Sequence, residues 1–198
     1  MYELHRAVGT VLRSIEYPNM QVLLDAACGG QGKQLRLYGG ETTGGDSFLA
    51  SVDAAVILND EIRVVMVVEL SNVRPLYLCG KVFATALSNY HSRKVRIPLA
   101  DRMMFIQVIQ HRDLQPRIWS EAAGKRKAKR TYKLPQYVHL EREINRLLQD
   151  TKSRIRRYVF HYGFSKSFDF EGDDAEALKK EILDFLPLLV PNGRPLST

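Results

Sequence analysis

The stretch "SVDAAVILNDEIRVVMVVEL", residues 51–70, decides the fold, and it places two acids within strand-like sequence. Asp53 lies near the start of the first apolar run and Glu69 at the end of the second, while the letters "NDE" between the runs predict a tight turn. The second run is apolar almost without interruption, which is typical of a strand buried on both faces. Because carboxylates are rarely left in such strands without a partner, both acids call for an explanation.

The geometry of this hairpin predicts that the two carboxylates meet. With the turn near Asp60, residues equidistant from it face each other, so Asp53 lies opposite residue 67 or 68 and within a residue or two of Glu69. One or two carboxylates that leave room for water and phosphate are the ligands that Mg²⁺ prefers. We therefore expect a Mg²⁺ or Mn²⁺ site at this edge of the sheet. The alternative is that Asp53 faces solvent and that Glu69 only ends its strand.

The elements around the hairpin follow a definite order. Apolar spacing predicts helices over 2–16 and 76–91, and strands over 34–38, 47–58, 62–70 and 102–110. The order along the chain is therefore helix, three strands, helix, strand. The second helix is expected to bury an apolar stripe that comprises Leu76, Cys79, Val82, Phe83, Ala86 and Leu87.

This order, with its two acids, resembles the PD-(D/E)xK nuclease superfamily over about the first 110 residues. In that pattern an Asp opens the second strand and Asp/Glu-x-Lys follows on the third; Asp53 and Glu69 match the two acids, sixteen residues apart. Val52 precedes Asp53 where the pattern often has proline, and Ser71 stands in the place of the lysine. The resemblance implies an α/β (α+β) fold, restriction-endonuclease-like, with a mixed sheet, an αβββαβ core and helices on its faces.

The resemblance also implies roles for particular residues. Asp53 and Glu69 would be catalytic and would bind Mg²⁺ or Mn²⁺, and Lys81, on the helix that follows, is the expected substitute for the missing lysine. Asn72 and Arg74 are weaker candidates for that substitution. A further acid is often supplied near the first helix or the preceding loop. Glu16 and Asp46 are the candidate accessory acids, followed by Glu3 and Glu41.

Charge points to a polyanionic partner for the second half of the chain. The formal net charge is +7 and the sequence pI is about 9.5, a balance that favours binding to nucleic acid. The run "GKRKAKRTYK" and the later "KSRIRRY" concentrate cations, and on a helix Arg154 and Arg157 would share a face. The residues expected to contact nucleic acid are Lys125, Arg126, Lys127, Lys129, Arg130, Lys133, Arg154 and Arg157.

The chain is expected to form a nuclease-like core over 1–112 and a basic extension over 113–198, packed together as one domain. The closing helix predicted over 174–190 serves either as a homodimer interface or as part of the monomer's own core. Two cysteines without metal-site spacing, no signal peptide and no run of apolar residues long enough to span a bilayer predict a cytoplasmic protein that is not inserted in a membrane.

Three functions fit this sequence. The first is a Mg²⁺-dependent endonuclease, restriction-like or repair-like, that cleaves phosphodiester bonds in DNA. The second is a non-catalytic nucleic-acid-binding protein on the same fold, which Ser71 in place of the lysine favours. The third is an α/β protein whose basic loop binds an acidic protein. The recognition sequence, and the choice between DNA and RNA, depend on docking geometry that sequence does not encode.

Overall fold

Eight strands and four helices are formed by the part of the chain that the structure, a computed structural model, describes: residues 3–31, 34–43, 45–69, 74–92, 95–109, 134–161 and 172–189. The helices are α1 (Glu3–Arg13), α2 (Pro75–Leu87), α3 (Leu134–Asp150) and α4 (Asp173–Phe185). The strands are β1 (Met20–Leu24), β2 (Leu35–Tyr38), β3 (Phe48–Val52), β4 (Ala54–Leu58), β5 (Glu61–Glu69), β6 (Tyr90–Ser92), β7 (Arg96–Ile109) and β8 (Ile155–His161).

All eight strands belong to one mixed sheet. The order is β1-β4-β5-β7-β6-β2-β3, and β8 pairs with the other end of β7. Strands β1, β4 and β5 are antiparallel neighbours, whereas β5, β7 and β8 run parallel. The long strand β7 also pairs through its first residues with β6, in the antiparallel sense. The sheet therefore has a central mixed part and a smaller antiparallel wing of β6, β2 and β3.

The hairpin of β4 and β5 forms because its turn residues suit the backbone that the turn requires. Asn59 and Asp60 have φ angles of 53° and 63°. Two consecutive positive φ angles are the requirement of a type I′ turn, and Asn and Asp tolerate this region better than other residues with a side chain. The register pairs Ala54 with Met66, which places Asp53 at the level of residue 67, as the sequence predicts.

The two faces of the sheet are covered by different helices. Along β5, Val64, Met66 and Val68 join the core formed with α1 and α4, while Val65 and Val67 join the core formed with α2 and α3. Because successive strand residues point to opposite faces, the nearly unbroken apolar run of β5 is explained by burial on both sides. The chain is thus mixed α/β, with a mixed sheet between two helical layers, in agreement with the coarse fold class.

The prediction of one strand over 47–58 is wrong, because the chain bends at Asp53. Residues before the bend form β3, which pairs with β2, and residues after it form β4, which pairs with β1 and β5. Strand β1, residues 20–24, was not predicted. Its five residues carry no polar alternation that would distinguish them from a continuation of the preceding segment.

The predicted stripe of α2 is also wrong in part. The helix begins with Pro75 in its first turn, where proline needs no hydrogen bond, and it ends at Leu87. Its buried residues are Leu78, Val82 and Thr85. Leu76, Phe83 and Leu87 are 83, 67 and 55% exposed, because the side of the helix turned towards the sheet is the one that carries Leu78 and Thr85.

The described part of the second half joins the same sheet and the same two cores. Strand β8 pairs with β7, α3 packs on β8, and α4 packs against α1. The apolar face of α4, which includes Leu178 and Ile182, is buried in the core, so this face completes the protomer itself. Within the described ranges, no helix combines the length and the apolar character that crossing a bilayer would demand.

Candidate active site

At Asp53, backbone hydrogen bonds between β4 and β5 give way to a hydrogen bond made by the Asp53 side chain. Its own N–H donates to the carbonyl of Met66 at 2.9 Å, and its carboxylate Oδ2 accepts the N–H of Val68 at 2.7 Å. The side chain thus satisfies a strand N–H that the departing backbone no longer reaches, as buried polar groups require. This bond holds the carboxylate at the edge of the sheet, directly beside the end of β5.

Glu69 and Lys81 complete this edge of the sheet. Glu69 is the last residue of β5, and its position has the same parity as Val65 and Val67, which face α2. Lys81 lies in the second turn of α2, and its Nζ is 5.3 Å from the ring centroid of Tyr77, one turn earlier. The charge of Lys81 lowers the pKa of both Asp53 and Glu69.

Both carboxylates resist ionisation because of their surroundings. Burial raises the pKa of Asp53, and the neighbouring Asp25 adds to this rise, while the Val68 hydrogen bond and the charges of His5 and Lys81 oppose it. Burial likewise raises the pKa of Glu69, which Lys81 lowers and Asp53 raises. The charge of Asp53 therefore acts on Glu69. Clustered carboxyls with raised pKa values are typical of functional sites.

Two residues near Asp53 were not identified from the sequence. His5, on the buried side of α1, places its Nε2 4.0 Å from Oδ1 of Asp53. Asp25 follows β1; its N–H donates to the carbonyl of Asp53 at 2.9 Å, and its own carboxylate accepts the N–H of Cys28 at 2.8 Å. Because β1 was not predicted, Asp25 was not expected at this edge of the sheet. The acid at the end of the "MQVLL" run was the available signal.

The donor set fits a hard divalent cation bound through few protein ligands. Within the described ranges, no group of three or more His, Cys, Asp or Glu side chains has the geometry to hold a metal ion. Mg²⁺, however, is commonly held by one or two carboxylates while water and phosphate fill its remaining positions. Asp53 and Glu69 offer two such carboxylates. Burial raises the pKa of both, and a cation bound beside them would offset this effect by favouring the charged forms.

The other predicted candidates lie elsewhere or outside the described residues. Glu16 and Asp46 are exposed, and neither is among the groups that shift the pKa of Asp53 or Glu69. Arg74 is exposed at the start of α2. Ser71 and Asn72 fall outside the described ranges. The same holds for most of the predicted nucleic-acid contacts: Lys125, Arg126, Lys127, Lys129, Arg130 and Lys133.

Arg154 and Arg157 do not lie on a helix, so the predicted shared helical face is wrong. Helix α3 ends at Asp150, and β8 begins at Ile155. The Arg154 guanidinium donates to the carbonyl of Leu99 at 3.2 Å and to Asn89 Oδ1 at 2.9 Å. Arg157 forms an ion pair with Glu181 of α4. Both arginines therefore have internal partners, and their contact with nucleic acid stays a prediction.

Comparison of the chain with protein-family models, with curated proteins and with solved structures finds no significant match.

Proposed function

We propose that the protein is a Mg²⁺-dependent endonuclease of the PD-(D/E)xK type that cleaves DNA. The observation that carries this proposal is the hydrogen bond between the Asp53 carboxylate and the N–H of Val68, the residue before Glu69, at 2.7 Å. The charge of Lys81, which lowers the pKa of both Asp53 and Glu69, supports it. The elements that build this edge run in the order α1, β1, β4, β5, α2, β7, with β4–β5 antiparallel and β5–β7 parallel. This order is similar to the αβββαβ order of a restriction-endonuclease-like core if β2 and β3 are taken as insertions before β4 and β6 as an insertion before β7, and the similarity supports the proposal.

Each residue has a separate role in this proposal. Asp53 and Glu69 hold the metal ion, which when bound supplies charge neutralisation and an acidified water molecule. The Val68 N–H orients the carboxylate of Asp53. Lys81 places a positive charge beside the scissile phosphate or the attacking water, in the role that the resemblance gives to the lysine absent at Ser71. His5 and Asp25 set the charge around Asp53 from the opposite side.

A second candidate is a non-catalytic nucleic-acid-binding protein on the same fold. It is favoured by Ser71, because the position two residues after Glu69 lacks the lysine and the proposed substitute comes from a different element. The basic second half would bind the phosphate backbone in either case, with an affinity that falls steeply as salt rises.

Plasmid cleavage in the presence of Mg²⁺ or Mn²⁺ tests the proposal. Asp53→Asn and Glu69→Gln are expected to reduce the cleavage rate by about 10²-fold or more, since each removes a charge that holds the ion. Lys81→Met is expected to reduce the rate by at least about tenfold while leaving the fold intact, because this side chain is only partly buried. Cleavage that persists at the wild-type rate in both carboxylate variants would refute the site.

Asp60→Asn is the matched control for the carboxylates. It removes an exposed acid at the other end of the same hairpin, and asparagine accepts the positive φ of that turn. Lys180→Met, on the exposed side of α4, is the matched control for Lys81. DNA binding without cleavage by the wild type in either metal would select the non-catalytic candidate instead.

Metal binding can be measured without activity. Mg²⁺ or Mn²⁺ is expected to raise the melting temperature of the wild type and of Asp60→Asn, because a ligand that binds only the folded state stabilises it. The rise is expected to disappear in Asp53→Asn. An equal rise in all three proteins would place the ion elsewhere.

A further inference from the structure

An exposed apolar groove lies on the side of α2 that faces away from the sheet. Leu76, Phe83 and Leu87 of α2 and Leu147 of α3 are 83, 67, 55 and 62% exposed. Together with neighbouring residues they line a cavity of about 980 Å³ between the two helices. This volume is at the upper end of the range for ligand pockets. A cluster of large exposed apolar side chains marks an interaction surface more often than a solvated helix face.

The groove has a positively charged end. Lys152 and Arg154, between α3 and β8, and Arg156 of β8 line it together with a single carboxylate, that of Asp101. The ion pairs found among the described residues include none of these three cations. The hydrogen bonds that Arg154 and Arg156 donate go to uncharged oxygens, of Leu99, Asn89 and Thr151, and leave the positive charge in place. An occupant with apolar side chains on one face and carboxylates at its margin would therefore match both the floor and the charge of the groove.

Gly80 leaves space on the floor of the groove. A Cβ placed on this residue meets no atom within 4 Å, so no described part of the chain explains a glycine here. In the middle of a helix, glycine costs about 0.5–1 kcal/mol relative to alanine. Between Leu76 and Phe83 it lowers the surface of α2 and allows the backbone of another helix to approach closely.

From these features we infer that the groove binds an acidic amphipathic helix of another protein. Charge disfavours the alternatives that belong to this chain: a second copy carries the same net charge of +7, and the segment Lys125–Lys133 is strongly basic. The concave shape between two helices fits a helix better than it fits a planar lipid surface. Helix-in-groove recognition buries one apolar face of the bound helix. The exposed apolar residues of α2, at positions i, i+7 and i+11, lie on one side of α2 and offer such a face a matching surface.

The inference is tested with two labelled helical peptides of about 15 residues, the length at which an isolated helix is marginally stable. Both carry leucines along one face; one carries glutamates on the other face and its partner carries lysines. Fluorescence anisotropy with the full chain at low salt is expected to show the glutamate peptide binding at least about tenfold more tightly. Added salt should reduce the difference.

Variants locate the binding. Gly80→Gln places a long side chain in the groove, where there is room for it, and is expected to weaken binding of the glutamate peptide about tenfold. Gly80→Ala adds only a methyl group to the same helix position and should have a much smaller effect on binding. Leu147→Ser should also weaken binding. Val138→Ser, an exposed apolar residue of α3 that does not line the groove, should not.

Four results of the binding experiments would overturn the inference. They are equal binding of the two peptides, absence of binding to both, unchanged affinity in Gly80→Gln and Leu147→Ser, and preferential binding of the wild type to phosphatidylserine vesicles through the same residues. Sedimentation that shows a dimer of the wild type, lost in Leu147→Ser, would assign the groove to a second copy of the chain and would overturn it as well.

Discussion

Helices α1 and α2 both carry apolar residues at helical spacing, yet the sheet covers only one of them well. In α1, seven of eleven residues are buried, including Val8 and Leu12, because the sheet and α4 enclose it. In α2 only three of thirteen are buried, and three of its large apolar residues are mostly exposed. Apolar spacing thus predicts that a helix has an apolar face, but the neighbouring elements decide whether that face is the buried one.

The largest effect expected from this comparison comes from removing one leucine from each helix. Leu12 is fully buried, so Leu12→Ala is expected to lower the free energy of unfolding by about 2–5 kcal/mol through lost burial and a residual cavity. Leu76 is 83% exposed, and Leu76→Ala should change it by no more than about 0.5 kcal/mol. Urea unfolding of both variants measures the difference. Equal losses would mean that the exposed face of α2 is covered.

A glycine in each helix gives the next contrast. A Cβ on Gly9 would lie 2.0 Å from the carbonyl oxygen of Cys28, so Gly9→Ala is expected to destabilise the protein by about 1–3 kcal/mol. A Cβ on Gly80 meets nothing, so Gly80→Ala should stabilise it by up to about 1 kcal/mol. Thermal unfolding of the two variants is expected to show shifts of opposite sign. A lower melting temperature in both variants would contradict the open space around Gly80.

The carboxylate of Asp53 should make the stability of the protein depend on pH. Because burial raises the pKa of Asp53, its contribution to stability is complete below the ordinary Asp value of about 4 and is lost as pH rises through the raised value. Asp53→Asn keeps an oxygen for the Val68 N–H without the charge. Without metal, we expect the free energy of unfolding of Asp53→Asn to exceed that of the wild type increasingly towards neutral pH, by an amount on the order of 1 kcal/mol.

Denaturant titrations of both proteins from pH 4 to pH 7, in the presence of a chelator, measure this difference. If the stability advantage of Asp53→Asn over the wild type decreases as pH rises, the pKa of Asp53 is not raised.

The smallest effects separate the contributions of α1 and α2 to the site. Lys81→Met should raise the pKa of both Asp53 and Glu69, because the lysine charge lowers both. His5→Gln should raise only that of Asp53. Carboxyl chemical shifts followed by NMR during a pH titration measure these changes. If the pKa of Glu69 is unchanged in Lys81→Met, α2 does not contribute to the site.

The position of Asp53 was predictable as far as local pattern reaches. The turn and the alternation of the hairpin placed Asp53 beside the end of β5, and the register confirms this placement. Lys81 was chosen from the family resemblance, and its role stays a prediction. His5 and Asp25 were beyond reach, because each comes to Asp53 through an element that is distant in sequence. The contacts of β1 with β4 and of α1 with the sheet are long-range pairings that no local pattern encodes.

The sequence by itself determined the tight turn at Asn59 and Asp60, the burial of β5 on both faces, the approximate positions of α1, α2 and α4, and the strands β2, β5 and the second part of β7. These follow from backbone preferences and from apolar periodicity, which act between near neighbours. Only the tertiary structure decided that the chain bends at Asp53, that β3 leaves for the antiparallel wing, and that Leu76, Phe83 and Leu87 face outward. The reason is that strand exchange and helix rotation depend on which distant surfaces are available to cover each residue.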